Sequence, residues 1–275
     1  MSRALRFTKM SGAGNDFIVL DEEAWGALPG ERGVWVRTVC RRGMSVGADG
    51  VLVVAPAGPG RVSMLYLNAD GSEAFCGNGS RCAARYAVRR GMAAASMTLV
   101  TAAGEVPATV TGARVSVILP PPEDRGPIEL ASAGRSFSGR WIRAGVPHVV
   151  FPAASLATFP LERHAPGLRA EARLGAEGAN VDLVERDARG RIHVRTWERG
   201  VEGETLSCGT GAVAAAFAAR LAGSEPVVTI VPRSGSELTV ELPGEPSRPP
   251  SATLTGDARF VFDGSLDPEG SAGPA

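Results

Sequence analysis

Two short segments, Cys76-Gly77-Asn78-Gly79 and Cys208-Gly209-Thr210-Gly211, hold the residues best suited to chemistry. Each follows an acidic-glycine pair, Asp70-Gly71 in one case and Glu202-Gly203 in the other, and each runs into an Ala-rich stretch that predicts a helix. A thiol at the start of a helix faces unpaired N–H groups and the positive end of the helix dipole, which favour its thiolate form. The neighbouring glycines leave those amides open to an anion such as a carboxylate. Inverting an amino-acid α-carbon needs a base on one face and an acid on the other. It also needs donors where the carbanion's charge develops, on the carboxylate. One thiolate and one thiol, each beside its own helix amides, meet both needs, and such a pair titrates as a unit. A non-catalytic reading, in which the two thiols merely pair as a disulfide in a binding or redox protein, stays open at this level.

The remaining reactive residues are fewer. Pyridoxal phosphate requires a Schiff-base lysine, and Lys9 is the only lysine in the chain. A mechanism with no cofactor and no metal is therefore expected. Ser11-Gly12-Ala13-Gly14 lacks the third glycine of a dinucleotide loop and leads into the strand-like Phe17-Ile18-Val19-Leu20, not a helix. Cys40 and Cys82 read as core residues, Asp49 as the cap of a turn, and His164 and His193 as structural.

The elements that must carry the two cysteines are written twice. Gly60-Arg61-Val62 through Asn68 resembles Gly190-Arg191-Ile192 through Glu198. Thr98-Leu99-Val100 with Gly104 matches Thr229-Ile230-Val231 with Gly235, and Asn15–Leu20 echoes Asn180–Val184. Matches in the same order at a near-constant offset indicate duplication. Short β-branched or alternating segments dominate both halves. Useful helices are expected only over about 33–42, 77–90 and 209–222, the last two ending at Gly91 and Gly223. The fold class that follows is α+β, with two pseudo-symmetric domains, each a barrel-like sheet around a central helix, and an active site in the cleft between them. Residues 1–120 form the first half, with a strand over about 252–263 returning to it. Residues 121–251 form the second, and 264–275 a flexible tail.

With 275 residues, 44% apolar and 21% charged, the chain can bury two cores. Its formal net charge of zero gives no footprint for nucleic acid or an anionic membrane. Neither an apolar leader nor a membrane-length apolar run is present, so a cytoplasmic protein acting on a small molecule is expected.

A larger set of residues carries a resemblance. Phe7-Thr8-Lys9-Met10-Ser11-Gly12-Ala13-Gly14-Asn15-Asp16-Phe17, then Asn68-Ala69-Asp70-Gly71-Ser72-Glu73 running into Cys76, then Gly145-Val146-Pro147-His148, then Trp197-Glu198-Arg199-Gly200 running into Cys208, together resemble the diaminopimelate epimerases. The resemblance implies interconversion of LL- and meso-diaminopimelate for lysine and peptidoglycan synthesis, in a cytoplasmic homodimer. It implies that Cys76 and Cys208 are the catalytic acid-base pair, and that His148 and Glu198 tune the thiols or the reacting amine. Asn15, Asn68 and Asn180 would contact the substrate, and Glu198 and Arg199 would bind its distal amino and carboxylate ends. Gly77-Asn78 and Gly209-Thr210 would hold the reacting carboxylate. Two positions depart from the pattern: Gly50 and Val146 stand where many members carry Gln and Asn. They leave open an amino-acid racemase of the same superfamily with a different substrate. The segment Val201-Glu202-Gly203-Glu204 is longer than usual, and Glu202 could supply a compensating carboxylate.

Overall fold

The computed structural model of the chain describes residues 4–28 and 30–267. The chain divides into two compact units, one reaching to Val117 and resuming at Asp257, the other Ile118–Gly256.

The first unit contains β1 (Leu5–Gly12), β2 (Asn15–Asp21), α1 (Glu22–Gly26), α2 (Arg32–Val39), β3 (Gly50–Pro56), β4 (Arg61–Asn68), α3 (Gly77–Arg89), β5 (Ser96–Thr101), β6 (Gly104–Thr111) and most of β7 (Arg114–Leu119). The second contains β8 (Glu123–Ser132), β9 (Arg135–Ala144), β10 (Val146–Pro152), α4 (Leu161–Arg169), β11 (Asn180–Arg186), β12 (Ile192–Glu198), β13 (Gly203–Thr205), α5 (Gly209–Leu221), β14 (Val227–Val231), β15 (Leu238–Glu241) and most of β16 (Ala252–Asp257). The last strand, β17 (Arg259–Leu266), belongs to the first unit.

Strand pairing repeats between the units. In the first, β1–β2 is antiparallel, β2–β3 parallel, β3–β4 antiparallel, β4–β5 parallel and β5–β6 antiparallel, with β17 antiparallel on the far side of β1. In the second, the same sequence of senses runs β9–β10, β10–β11, β11–β12, β12–β14 and β14–β15, with β8 on the far side of β9. Each sheet wraps a helix: α3 packs on β1 through β6, and α5 on β9, β10, β11, β12, β14 and β15. Burial explains the composition of these helices. Residues 82–84 of α3 and 212–217 of α5 are inside, and all but Cys82, Val213 and Phe217 are alanines, small enough for strands to close around them on every side. The parallel strand β3 is buried over Gly50–Ala55 and reads as a continuous apolar run, as a doubly covered strand must. β4 alternates over Arg61–Tyr66.

Four expectations change. The strand expected over 252–263 is two strands. β16 stays with the second unit by pairing with β15, and only β17 pairs with β1. Ala258 separates them. The expected tail does not begin at residue 264, because Ser265 and Leu266 are laddered to Arg6 and Leu5; residues 268–275 of that expectation lie outside the described residues. Two helices escape the sequence pattern. α1 is one capped turn, with Asp21 accepting from the Ala24 amide, and α4 carries Pro166 inside it and follows Pro160, so it reads as a loop. What holds α4 is packing of Leu161, Ala165 and Leu168 into the cluster around Phe137, Phe151 and Phe159.

The fourth change concerns the repeat itself. Matching registers pair Gly50 with Asn68 and Phe17 with Gly50 in the first unit, and Val181 with Trp197 and His148 with Asn180 in the second. Asn180 therefore occupies the position of Gly50, and Val146 that of Asn15. The echo between Asn15–Leu20 and Asn180–Val184 is not a structural equivalence, since β2 corresponds to β10 and β11 to β3.

Candidate active site

Each cysteine is the N-cap of its unit's central helix. Cys76 has φ −138° and ψ 112°, and its Sγ accepts from the Gly79 amide at 3.3 Å. Cys208 has φ −115° and ψ 117°, and its Sγ accepts from the Gly211 amide at 3.4 Å. The sulfur thus takes the role usually held by a Ser or Asp oxygen. Cys76 is half-buried, and the other three cysteines are buried.

Around Cys76 the polar side chains form a relay. The buried Arg81 donates to Asn78 Oδ1 (2.8 Å), Asn78 Nδ2 to Asn15 Oδ1 (2.6 Å), and Asn15 Nδ2 to Asp49 Oδ2 (3.0 Å). Asp49 also accepts from the Asp16 amide at 3.1 Å and pairs with Arg42 at 2.8 Å. It is the anchor of the Asn15 amide and more than the cap of a turn. Burial lowers the pKa of Arg81 from its usual value. Asn15 and Asn78, both expected substrate contacts, are thereby oriented together, while Asn68, at the end of β4, donates to Ser72 Oγ at 3.0 Å. Lys9 is buried, 2.7 Å from Asp16, and bonded to the Gly47 carbonyl.

Gly12 lies in the β1–β2 hairpin, where a Cβ would sit 2.9 Å from Asn78 O and 3.1 Å from Cys82 Sγ. Gly12 thus serves a tight approach of the hairpin to α3, and Gly14 (φ 110°) supplies the left-handed turn residue. At Gly50 a Cβ would run into the Leu67 carbonyl and lie 2.5 Å from the Tyr66 ring. The Tyr66 side chain fills the space that a residue larger than glycine at position 50 would need.

Around Cys208 the polar groups are different. His148 Nδ1 lies 2.7 Å from Asp182 Oδ2, both groups wholly inside, and Thr196 Oγ1 donates to Asp182 Oδ1 at 2.7 Å. Asn180 Nδ2 faces His148 Nε2 at 3.4 Å, and Asn180 Oδ1 accepts from the Arg199 amide at 2.8 Å. Glu198 accepts from the Thr205 hydroxyl and is raised above the ordinary carboxylate range, chiefly by burial. The Cys208 thiol is raised well above its ordinary value, first by burial and then by the Glu198 and Asp182 carboxylates; the Thr210 hydroxyl and Gly211 amide oppose this and lose. The helix terminus was expected to favour thiolate, and at Cys208 it does not prevail.

Arg199 meets Glu177 only at 3.4 Å and is part-exposed, so its guanidinium can be taken over by another carboxylate at small cost. Glu202, considered above as a compensating carboxylate, is engaged within its own unit. Its backbone is left-handed (φ 53°), and its side chain pairs with Arg169 at 2.8 Å. His164 accepts a core role among Phe137 and Phe159, and His193 sits 3.0 Å from Asp187. Sequence reading missed Asp49 as an anchor, and it missed Arg81, Asp182 and Thr196. Thr196 did leave a signal, as a polar residue following Ile192 and Val194 on one strand face, whereas Asp182 left none, because Asn180 and Arg186 share its face.

The positions of His148, Asp182 and Thr196 correspond to Phe17, Leu52 and Tyr66 of the first unit. An apolar side chain buried there contributes about 1.5–3 kcal/mol. The second unit forgoes that gain at each position in favour of a hydrogen-bonded set, which is a stability cost that function would have to justify.

A family model described as diaminopimelate epimerase matches residues 7–119 and 140–261. The chain is 37% identical to the diaminopimelate epimerase of Aquifex aeolicus (strain VF5), over 96% of this chain and 99% of that one. It is 41% identical to that of Archaeoglobus fulgidus, over 95% and 96%. Among solved structures, a hydroxyproline epimerase from Agrobacterium vitis with bound trans-4-hydroxy-L-proline superposes with a TM-score of 0.67 at 19% identity, covering 98% of this chain and 95% of that one. A phenazine-biosynthesis protein of the PhzF family from Bacillus anthracis gives 0.73 at 15%, covering 96% and 99%. These two likenesses concern the fold. Taken with the duplicated cysteine caps, the sequence matches establish that the chain belongs to the diaminopimelate epimerase family.

Proposed function

We propose that this protein interconverts LL- and meso-diaminopimelate without a cofactor, with Cys76 and Cys208 as its two acid-base groups. The observation that carries the reading is the repeated cap: in each unit a cysteine sulfur, and not a serine or aspartate oxygen, closes the first turn of the central helix. One thiolate removes the α-proton and the other thiol returns a proton to the opposite face. The first-turn amides of the helices, at Gly77-Asn78 and Gly209-Thr210, stabilise the carboxylate as it takes up charge. Cys208, raised by burial and by two carboxylates, starts as the acid. Arg199 clamps the distal carboxylate, while Glu198, beside Cys208, tunes that thiol and the reacting amine. The lone lysine is held in an ion pair with Asp16, which supports a route without a Schiff base.

In deuterated water, purified protein should exchange the substrate α-proton as the stereocentre inverts. Cys76→Ser and Cys208→Ser should each reduce turnover by about 10²–10⁴-fold, the usual contribution of an acid-base group. Full turnover in either variant would end the two-base reading.

Val146, at the position equivalent to Asn15, favours testing a second reading, a racemase for another amino acid. A panel of amino acids assayed for loss of optical purity decides, and preference for diaminopimelate ends that alternative. Among the described residues no helix is long and apolar enough to cross a membrane. We place the protein in the cytoplasm, in lysine and peptidoglycan precursor synthesis, as a homodimer.

A further inference from the structure

The buried set behind Cys208 can be followed donor by donor. Asn180 Oδ1 accepts from the Arg199 amide, so its Nδ2 is the atom turned toward His148 Nε2. The Asp182 carboxylate can only accept, which places a ring proton on Nδ1, and the Asn180 donor facing Nε2 at 3.4 Å matches a lone pair there. Nδ1–H then donates to Asp182 Oδ2 at 2.7 Å, and Asp182 Oδ1 is filled by the Thr196 hydroxyl at 2.7 Å. The chain of bonds therefore runs from Thr196 and Asp182, through His148, to the side chain of Asn180 and the backbone of Arg199. Gly211 makes room for it, because a Cβ there would lie 2.7 Å from Asp182 Oδ1 and 3.1 Å from Thr196 Oγ1. In the first unit the equivalent positions are Phe17, Leu52 and Tyr66, and the helix glycine there, Gly79, packs on Leu52.

We propose that Asp182, seconded by Thr196, is a positioning residue that locks His148 in its Nδ1–H tautomer and, through Nε2, fixes the amide of Asn180 beside Arg199. The functional part of this inference rests on Asn180 and Arg199 contacting the substrate; the tautomer itself does not. A residue that sets the tautomer and orientation of a site histidine affects turnover without touching substrate.

The chain has three histidines, so the ring nitrogens of ¹⁵N-histidine-labelled protein give few signals, and a His148→Gln variant identifies one set. The expected result for the wild type is a pyrrole-type Nδ1 and a pyridine-type Nε2 at His148. Asp182→Leu, the residue at the equivalent site of the first unit, should shift His148 toward the Nε2–H form and lower kcat/KM by about 10–100-fold. Asp182→Asn, whose amide oxygen still accepts from Nδ1, should keep the tautomer and more of the activity. An Nε2–H His148 in the wild type overturns the proposal whether or not any variant folds. So does equal loss in both variants with the tautomer unchanged, which would be packing alone. An Nδ1–H His148 in a protein that fails to exchange the diaminopimelate α-proton would keep the relay and remove the functional reading instead.

Discussion

A helix N-terminus and an apolar enclosure pull a thiol in opposite directions, and at Cys208 the enclosure is stronger. Burial and the Glu198 and Asp182 carboxylates all disfavour the anion, so its pKa moves up. Burial is the chief cause that pushes Cys82 up to about 12, and Cys40 likewise. Since alkylation needs the thiolate, iodoacetamide at neutral pH should label the half-buried Cys76 first, which peptide mass spectrometry reads directly. Labelling of Cys208 should grow only as pH climbs above the ordinary thiol range. Glu198→Gln removes one of the negative charges that hold the proton on, and should bring that onset to lower pH. At the distal end, Arg199→Lys keeps the charge but loses the two-pronged carboxylate contact. A rise in the KM for diaminopimelate of about tenfold with a smaller change in kcat is expected from steady-state kinetics.

At the scale of the element, the central helices tolerate small residues for different reasons in the two units. A Cβ at Gly211 would press on Asp182 Oδ1 and Thr196 Oγ1, polar atoms held in place by hydrogen bonds on both sides. A Cβ at Gly79 meets Leu52 Cδ2 at 3.1 Å and Met64 Cε at 3.4 Å, the ends of side chains that can turn. Replacing a helical Gly by Ala gains about 1 kcal/mol in propensity, whereas overpacking a fixed site costs about 1–3 kcal/mol. Gly211→Ala should therefore destabilise the protein, while Gly79→Ala should be close to neutral. Urea midpoints at equal slope would show the difference. The same logic applies to β3, where Gly50 exists because Leu67 and Tyr66 occupy the space. Gly50→Gln should not restore a polar contact; it should lower the urea midpoint.

At the scale of the molecule, the two units share one pattern of strand senses around one kind of helix, and the chain returns through β17 to finish the first after completing the second. If both thiols address one α-carbon, a mild oxidant should couple Cys76 to Cys208. Activity should then fall and return on reduction, with a Cys76–Cys208 cross-linked peptide in the non-reduced digest. Loss of activity with both thiols still free would count against it. Much of the architecture was legible in the chain because local patterns suffice for it. The two cysteine-capped helices, the strands on either side and the duplication all follow from spacing and small-residue content. The proline-bearing α4 did not, because it is held by tertiary packing on Phe137 and Phe159 against its own sequence preference.

What the sequence determined alone was the set of residues able to do chemistry, and the repetition that makes two of them equivalent. Residue type, turn chemistry and periodicity are local properties, and they were enough to single out Cys76, Cys208 and the two helices that carry them. Only the tertiary structure decided that the equivalents differ. Strand register aligns Asn180 with Gly50 and Val146 with Asn15, against the match that runs of letters suggest. Register depends on which strands pair across the fold, and it shows in no short stretch of chain. The environment of each thiol is likewise a sum over neighbours distant in sequence. Asp49 and Arg81 align the amides near Cys76, whereas Asp182, Thr196 and Glu198 surround Cys208.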